Sequence, residues 1–194
     1  MAMSTTSTST TAGPPAYRGA ADAAPSGVRG GALSADVGED EVVLFVIGMR
    51  VNRLRRVRSW TYVARQMPAM LRELAALPDS PLLAFRSWWS GRDVMVTQVW
   101  RSAEELGRFA RDQDHPHATA WREFNRRIAA SADVGIWHET YVVRADQVES
   151  LYGNMPPIGL GAAYGLVPAG TRRATAAVRR VHGAAGDHAL GQLD

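Results

Sequence analysis

Two histidines flank a proline in the segment from Asp112 to Asn125, which reads Asp-Gln-Asp-His-Pro-His-Ala-Thr-Ala-Trp-Arg-Glu-Phe-Asn. Pro116 suits the first position of a helix, because its missing N–H would be unpaired there anyway. In that helix His117 shares one stripe with Trp121 and Asn125. Because this stripe is the apolar one, we predict that His117 faces the sheet and acts there as a base or a ligand.

His115 stands directly before Pro116, where the proline ring disfavours helical backbone. We interpret His115 as a helix cap or turn residue, with a ligand role as the alternative. For His117 the structural alternative is a histidine at the edge of the core, bonded to Asp112 or Asp114. These imidazoles and a third could bind zinc, copper or iron. Because Pro116 spreads them apart, we predict no metal site.

A third histidine lies in the segment from Gly135 to Tyr141, which has the composition of a strand. Successive side chains of a strand point to opposite faces, so His138 and Glu139 cannot both line one cavity wall. Whichever of the two faces the helices is predicted to meet His117. The histidine and acidic candidates for catalysis are therefore His117, His138 and Glu139.

Other polar and aromatic side chains complete a predicted pocket for a flat or apolar small molecule. Arg50 and Asn52 end an apolar strand, where they could orient an oxyanion, and Arg50 is a further catalytic candidate. The chain has six tryptophans, for which plain core packing is the alternative explanation. The predicted substrate-binding residues are Asn52, Trp89, Trp100, Trp121, Asn125 and Trp137.

The composition excludes several kinds of chemistry. The 194 residues include no cysteine, which excludes disulfides and thiolate catalysis. All 22 basic residues are arginine, so neither a Schiff base nor a P-loop lysine is available. The net charge is only +3, and we predict no nucleic-acid partner. No apolar run could span a bilayer and the start lacks a secretory signal, so we expect a cytoplasmic protein without a membrane partner.

The chain divides into a domain at residues 39–163 between two tails. Residues 1–38 are rich in Ser, Thr, Ala, Gly and Pro, and such a segment buries too little apolar surface to be ordered. Residues 164–194 are predicted to be disordered or weakly helical. The predicted elements of the domain are a strand at 42–51, a helix at 54–77 divided into two at Pro68, strands at 82–90 and 94–101, a helix from Ser102 to 111, a second helical segment to about 130, and a strand at 134–143.

This order of strand, helix, strand, strand, helix, strand predicts an α+β protein with a ferredoxin-like βαββαβ fold. An antiparallel four-stranded sheet with helices on one face leaves its other face uncovered. The first strand is apolar on both faces, so the uncovered face must be buried. We therefore expect a homodimer in which two sheets meet.

Five short motifs resemble the fumagillin-pathway-type monooxygenase family. The resemblance covers about residues 40–163 and implies a dimeric α+β barrel of the antibiotic-biosynthesis monooxygenase superfamily. It also implies an oxidative step on a small metabolite, often polyketide- or terpene-like. The motifs are Ile47–Asn52, Asp114–His117, Ala120–Asn125, Gly135–Tyr141 and Asn154–Gly161.

The resemblance leaves two chemistries open. Some related barrels oxygenate phenols without a cofactor, which suits Arg50, Asn52, Trp89 and Asn125. Others bind haem b through a histidine of the second helical segment, which here would be His117 or His115. We predict a monooxygenase-like oxidoreductase that acts on a hydrophobic secondary-metabolite intermediate between the sheet and the second helix. The alternatives are a haem-dependent oxygenase or dehydratase and a non-catalytic binding protein.

Overall fold

The computed structural model describes residues 25–38, 40–111 and 131–169, without the side chains of Ala69 and Glu73. The predictions for residues 1–24, 112–130 and 170–194 lie outside these ranges. In chain order the elements are β1 (Arg29–Ala35), β2 (Glu41–Val51), α1 (Val57–Ala75), β3 (Leu82–Ser90), β4 (Asp93–Trp100), α2 (Ala103–Arg111), β5 (Val134–Arg144), a 3-10 turn (Ala145–Gln147), β6 (Tyr152–Met155), α3 (Leu160–Tyr164) and β7 (Leu166–Pro168).

Four strands form an antiparallel sheet in the order β3-β4-β2-β5. The apolar run of β2 takes an inner place, as expected for a strand covered on both faces. The order is that of a ferredoxin-like unit, which confirms the predicted fold class. Gly91, at the turn between β3 and β4, has a φ of +57°, a conformation that glycine adopts without steric cost.

Both helices of this unit pack on one face of the sheet, which we call the helix face. Its main core joins the two inner strands to the apolar side of α1 and the start of α2. Buried residues of this core are Val43, Leu71, Leu74, Leu82, Val96, Trp100 and Leu106. A second cluster at the other end of β2 contains Met49, Val51, Val63 and Val134. Within the described ranges, no helix has both the length and the apolarity needed to cross a membrane.

Helix α1 is continuous although Pro68 lies inside it, so the predicted division into two helices was wrong. The proline removes one backbone donor, but apolar residues on both sides of it are buried against the sheet. Val63 precedes Pro68 and Leu71 follows it, and both are at most 9% exposed. Burial of one apolar stripe therefore outweighs the local effect of the proline.

A second sheet, in the order β6-β1-β7, was not foreseen. The structure differs here from the predicted tails, because residues 29–35 and 166–168 form strands that pair with each other. Ser150 adds a side-chain contact, in which its hydroxyl accepts the N–H of Ala35 at 2.9 Å. These partners are distant in sequence, so the low local strand propensity of β1 gives no sign of them.

The loop motif at Asn154–Gly161 closes this second sheet. The Tyr152 hydroxyl donates to the carbonyl of Ile158 at 3.0 Å and accepts the N–H of Gly161 at 2.9 Å. A Cβ on Gly161 would lie 2.6 Å from a methyl group of Leu166. The glycine is therefore needed for the close approach of α3 to β7.

Candidate active site

The structure divides the described site candidates between the two faces of the four-stranded sheet. In the register of β5 with β2, His138 lies opposite Ile47, while Trp137 and Glu139 lie opposite Gly48 and Val46. Because Ile47 belongs to the helix-face core, His138 shares that face. Trp89 and Trp100 also lie on the helix face, whereas Arg50, Trp137 and Glu139 lie on the opposite one, which we call the far face.

The predicted candidates His115, His117, Trp121 and Asn125 lie outside the described residues. Of the two alternatives for β5, His138 is the residue that faces the helices, and Glu139 faces away. One cavity wall therefore cannot combine His138 with Arg50, which was expected to orient an oxyanion for it.

His138 is exposed, and its ring centroid lies 5.6 Å from that of Phe45 on the neighbouring strand. In the described part of the chain, neither ring nitrogen of His138 has a hydrogen-bond partner. The ring is thus positioned by an aromatic contact while its nitrogens stay available to a ligand. This arrangement suits a general base.

Trp100 is 1% exposed and belongs to the core rather than to an open wall. Its ring centroid lies 5.4 Å from that of Phe109. The indole N–H donates to Oε1 of Gln98 at 2.9 Å. An indole nitrogen can only donate, so this bond identifies which end of the Gln98 amide is oxygen and which is nitrogen.

Gln98 is the residue of this face that the sequence interpretation missed. Its side chain is buried, and its Nε2 has no hydrogen-bond partner among the described residues. The residues opposite Gln98 on the two adjacent strands are Phe45 and Phe85. A buried donor without an acceptor costs about 1–3 kcal/mol. Because Gln98 is only 1% exposed, a ligand oxygen could offset this cost only after the side chains that cover Gln98 move aside. The available signal was one polar residue among the apolar ones on this face of β4.

Trp89 lies at the exposed end of the helix face. It is 81% exposed, and its indole donates to the carbonyl of Gly91 at 2.6 Å. Along β3 it is four residues from Phe85, the strand neighbour of Gln98. Its predicted role in substrate binding stays a prediction.

The far face holds the remaining candidates in contacts of their own. Arg50 forms an ion pair with Asp93 at 2.6 Å, so its charge is already partly compensated. The indole of Trp137 lies on Gly48, where a Cβ would be 2.6 Å from Nε1. Asn52, just beyond β2, donates to the carbonyl of Ala132 at 3.1 Å. These contacts hold the end of the sheet together.

Glu139 is likewise paired on the far face. The hydroxyl of Tyr141 donates to the Glu139 carboxylate at 2.5 Å. This hydrogen bond and the negative charge raise the pKa of Tyr141. The tyrosine therefore stays neutral at physiological pH, and Glu139 has a partner that competes with any substrate.

Asp133, immediately before β5, joins the connection between β2 and α1. Ser59 donates to its carboxylate at 2.9 Å, and Arg53 donates at 3.2 Å. Burial by itself raises the pKa of Asp133. The hydrogen bonds with Ser59, Arg53 and Ser131 together lower the pKa by more than burial raises it, so the pKa lies below its ordinary value. The folded state therefore favours the ionised carboxylate.

We expect Asp133→Asn to destabilise the protein at neutral pH and to have less effect in acid. The lowered pKa stabilises the folded state above the ordinary value of 3.8, and this contribution is lost as the pH falls through the folded-state pKa. Urea denaturation at several pH values measures the difference from the unaltered chain. The control is Asp79→Asn, which removes an exposed ion pair and should change little. An Asp133→Asn effect that is the same at every pH would contradict the prediction.

The amino-acid sequence of this chain matches a known protein family. The sequence model of a family described as "Monooxygenase af470-like" matches residues 42–160. One curated relative, the monooxygenase af470 of Aspergillus fumigatus, is 27% identical over 132 residues, which cover 64% of this chain and 46% of the relative. The chain thus spans about half the length of that relative.

Solved structures with a similar arrangement include two aldoxime dehydratases. One, OxdRE in complex with butyraldoxime, has a TM-score of 0.43 and 16% identity, covering 69% of this chain and 42% of its own. The other has a TM-score of 0.41 and 17% identity, covering 73% and 45%. A dimeric ferredoxin-like protein from an uncultured marine organism has a TM-score of 0.33 and 14% identity, covering 54% of this chain and 96% of its own.

Proposed function

We propose that this chain, which belongs to the Monooxygenase af470-like family, oxidises a hydrophobic secondary-metabolite intermediate on the helix face of its sheet. The family membership confirms the predicted resemblance and supports an oxidoreductase of the monooxygenase type. The observation that carries the proposed position of the site is the buried Nε2 of Gln98, which no residue in the described ranges accepts from. We propose that His138, on the same face, is the base.

The spacing of these two groups favours a polycyclic substrate. Gln98 is on β4 and His138 is on β5, with β2 between them. Two strand spacings amount to about 10 Å, and because Gln98 is opposite Phe45 while His138 is opposite Ile47, a two-residue offset increases the separation to about 12 Å. Fused aromatic rings with an oxygen at each end could bridge this distance through two hydrogen bonds. We propose that Gln98 donates to a carbonyl oxygen at one end, while His138 removes a phenolic proton at the other. Phe45, on the intervening strand β2, would pack against one face of the rings.

The reaction that we propose needs only the substrate and O₂. Loss of the phenolic proton to His138 makes the ring system electron-rich, and four electrons pass from the substrate to O₂. A CH₂ group becomes C=O: one oxygen atom of O₂ is bonded to the carbon, and the other leaves as water with the two hydrogens. His138 then returns its proton to the phenolate oxygen. Such an activated-anion mechanism depends on the base and on a donor for the oxygen that becomes negative.

An anthrone is a suitable probe, because it has a CH₂ group opposite a carbonyl and phenolic hydroxyls can be placed on its rings. With ¹⁸O₂, we expect one labelled oxygen in the quinone product and consumption of one O₂ per turnover. Binding of the anthrone without conversion would instead support a non-catalytic binding protein. Neither binding nor conversion of a set of such polycyclic phenols would overturn the proposal.

Removal of the Gln98 donor should weaken ligand binding by about tenfold, the value of one hydrogen bond. The variant is Gln98→Leu in a Trp100→Phe background, since the second change removes an indole N–H that would otherwise be left unpaired. The matched control is Trp100→Phe alone, which keeps the donor. Titration with anthraquinone, followed by absorbance, compares the two dissociation constants. Equal constants would show that Gln98 does not contact the ligand.

A homodimer that joins two far faces forms the second part of the proposal. Three aromatic side chains of that face are partly exposed: Trp88 (41%), Trp137 (39%) and Tyr141 (45%). An exposed aromatic patch of this kind is typical of an interface. Arg86 stacks on Trp88 at 5.1 Å, which adds a polar edge.

The predicted cytoplasmic location and the expected lack of a nucleic-acid partner stay predictions.

Haem b is the alternative cofactor, and its expected ligands, His117 or His115, lie outside the described residues. Haem would supply redox chemistry at iron, and no step above depends on it. We expect that, if haem is bound, adding haemin produces a Soret band that His117→Ala abolishes and His138→Ala retains. Absence of a band in the purified protein, both with and without haemin, would remove this alternative. The absorption spectrum is the measurement.

A further inference from the structure

One end of the domain carries exposed cationic and apolar side chains, and its cationic side chains outside the Arg53–Asp133 pair have no ion pair within the described residues. The hairpin turn between β3 and β4 lies beside the end of β2, because the N–H of Val51 donates to the carbonyl of Arg92 at 2.9 Å. The connection from β2 to α1 begins at this point. We call the exposed residues of the turn and the connection the loop-end patch: Leu54, Arg55, Arg56, Val57, Arg58, Trp89 and Arg92.

The apolar members of the loop-end patch border one cluster of the core. The indole of Trp60 donates to the carbonyl of Leu54 at 3.1 Å, and both Trp60 and Val94 pack against the second core cluster. Trp89 is the strand neighbour of Val94. Leu54 is 55% exposed and Trp89 is 81% exposed. These large apolar side chains are therefore held at the surface by ordered neighbours.

The basic members of the patch form no ion pair with any residue that the structure describes. Arg53 is paired with Asp133, but Arg55, Arg56 and Arg58 have no ion pair among the described residues. Arg92, across the turn, is also without one there. A surface that combines unpaired arginine with exposed Trp and Leu matches the chemistry of an anionic membrane interface.

From this combination we propose that the loop-end patch docks the protein on a membrane surface containing anionic lipids. Arginine pairs with lipid phosphates, and Trp89, Leu54 and Val57 enter the boundary between headgroups and acyl chains. A second copy of the chain is disfavoured as the partner, because a symmetric contact would place the unpaired arginines opposite each other. Nucleic acid offers phosphates but no apolar layer for the exposed leucine and valine.

The sequence-based expectation of no membrane partner rested on the lack of a spanning segment and of a secretory signal, and peripheral docking, which differs from that expectation, requires neither. The inference stands on the described patch and does not depend on the proposed oxidation. Docking would give the protein access to a hydrophobic substrate that partitions into lipid. Vesicle binding and anthrone turnover are measured in separate assays, so a negative result in one assay does not affect the interpretation of the other.

The test is co-sedimentation of the full chain with vesicles of phosphatidylcholine alone and of phosphatidylcholine with about one third phosphatidylserine. We expect binding to the anionic vesicles, at least tenfold weaker binding to the neutral ones, and release by salt. The triple change Arg55→Gln, Arg56→Gln, Arg58→Gln should weaken binding about 100-fold, at roughly fivefold for each cation. Trp89→Ala should weaken it about tenfold, because one buried aromatic side chain is lost.

The matched control is Leu77→Ala, which removes a side chain that is 48% exposed just beyond the other end of α1. We expect it to bind like the unaltered chain. Failure of the unaltered chain to bind anionic vesicles would overturn the proposal, as would full binding by the triple variant. Loss of duplex DNA binding in the triple variant, together with unchanged vesicle binding, would indicate nucleic acid instead.

Discussion

Replacement of His138 by alanine should lower the turnover of a phenolic anthrone by about 10²–10⁴-fold, the usual contribution of a general base. The expectation follows from the position of His138 on the helix face, with its ring against Phe45 at 5.6 Å. The dissociation constant for unsubstituted anthraquinone should change little, because this ligand has no phenolic proton to give up. Steady-state O₂ consumption and a binding titration measure the two effects.

Two further variants separate catalysis from structure. Val142→Ala changes another exposed residue on the same face of β5 and should leave turnover near that of the unaltered chain. Added imidazole should restore part of the activity of His138→Ala, since it can take the place of the lost ring. A His138→Ala protein with full turnover would exclude His138 as the base. The base would then have to be sought in the histidines beyond the described residues.

The second large effect is expected at the far face. Trp137→Arg should convert the proposed dimer into a monomer at micromolar concentration, a weakening of at least 30-fold in the dissociation constant for an interface tryptophan. Two arginines would face each other near the two-fold axis in place of two indoles. Light scattering coupled to size-exclusion chromatography measures the mass. An unaltered chain that elutes as a monomer would contradict the dimer itself.

Gly48→Ala tests the same surface without removing the aromatic ring. A Cβ at this position would lie 2.6 Å from Nε1 of Trp137, so the indole must move from its place on the sheet. We expect weaker dimerisation and a loss of about 1–3 kcal/mol in the free energy of unfolding, as for other overpacked sites. The control is Trp89→Ala, which removes a more exposed tryptophan on the helix face. It should leave the mass unchanged.

The sequence by itself was enough to predict the four-stranded unit. The apolar run of β2, the turn at Gly91 and the cap at Ser102 act through neighbours a few residues away. The spacing of Ser102 and Glu105 is that of a capping box, and the Ser102 hydroxyl accepts the N–H of Glu105 at 3.1 Å. The reciprocal half of that capping box is not formed, because Glu105 accepts Arg101 at 3.2 Å instead. Arg101 is also held by Asp79, a partner that spacing along the chain does not indicate.

Residues 29–35 show where sequence reasoning failed. Their composition is that of a flexible tail, and their order comes from pairing with β6 and β7 more than 100 positions away. Pro68 illustrates the same limit within a helix, since burial on both sides of it overrides its local effect. In each case the stabilising partner is distant in sequence, and its contribution exceeds the local preference of the chain.

The candidate site likewise depends partly on local sequence and partly on contacts between elements that are distant in sequence. Alternation along β5 shows from sequence that His138 and Glu139 point to opposite faces, because the side-chain period of a strand is two residues. Which of them meets the helices depends on which face of the sheet α1 covers. Gln98 becomes a candidate only in the folded structure, where Trp100 donates to its amide oxygen and no described residue accepts from its amide nitrogen. The sequence thus determined the alternation of side chains along β5. Tertiary packing decided which face of the sheet the helices cover and which donor stays without an acceptor in the described structure, because both depend on contacts between elements far apart in the chain.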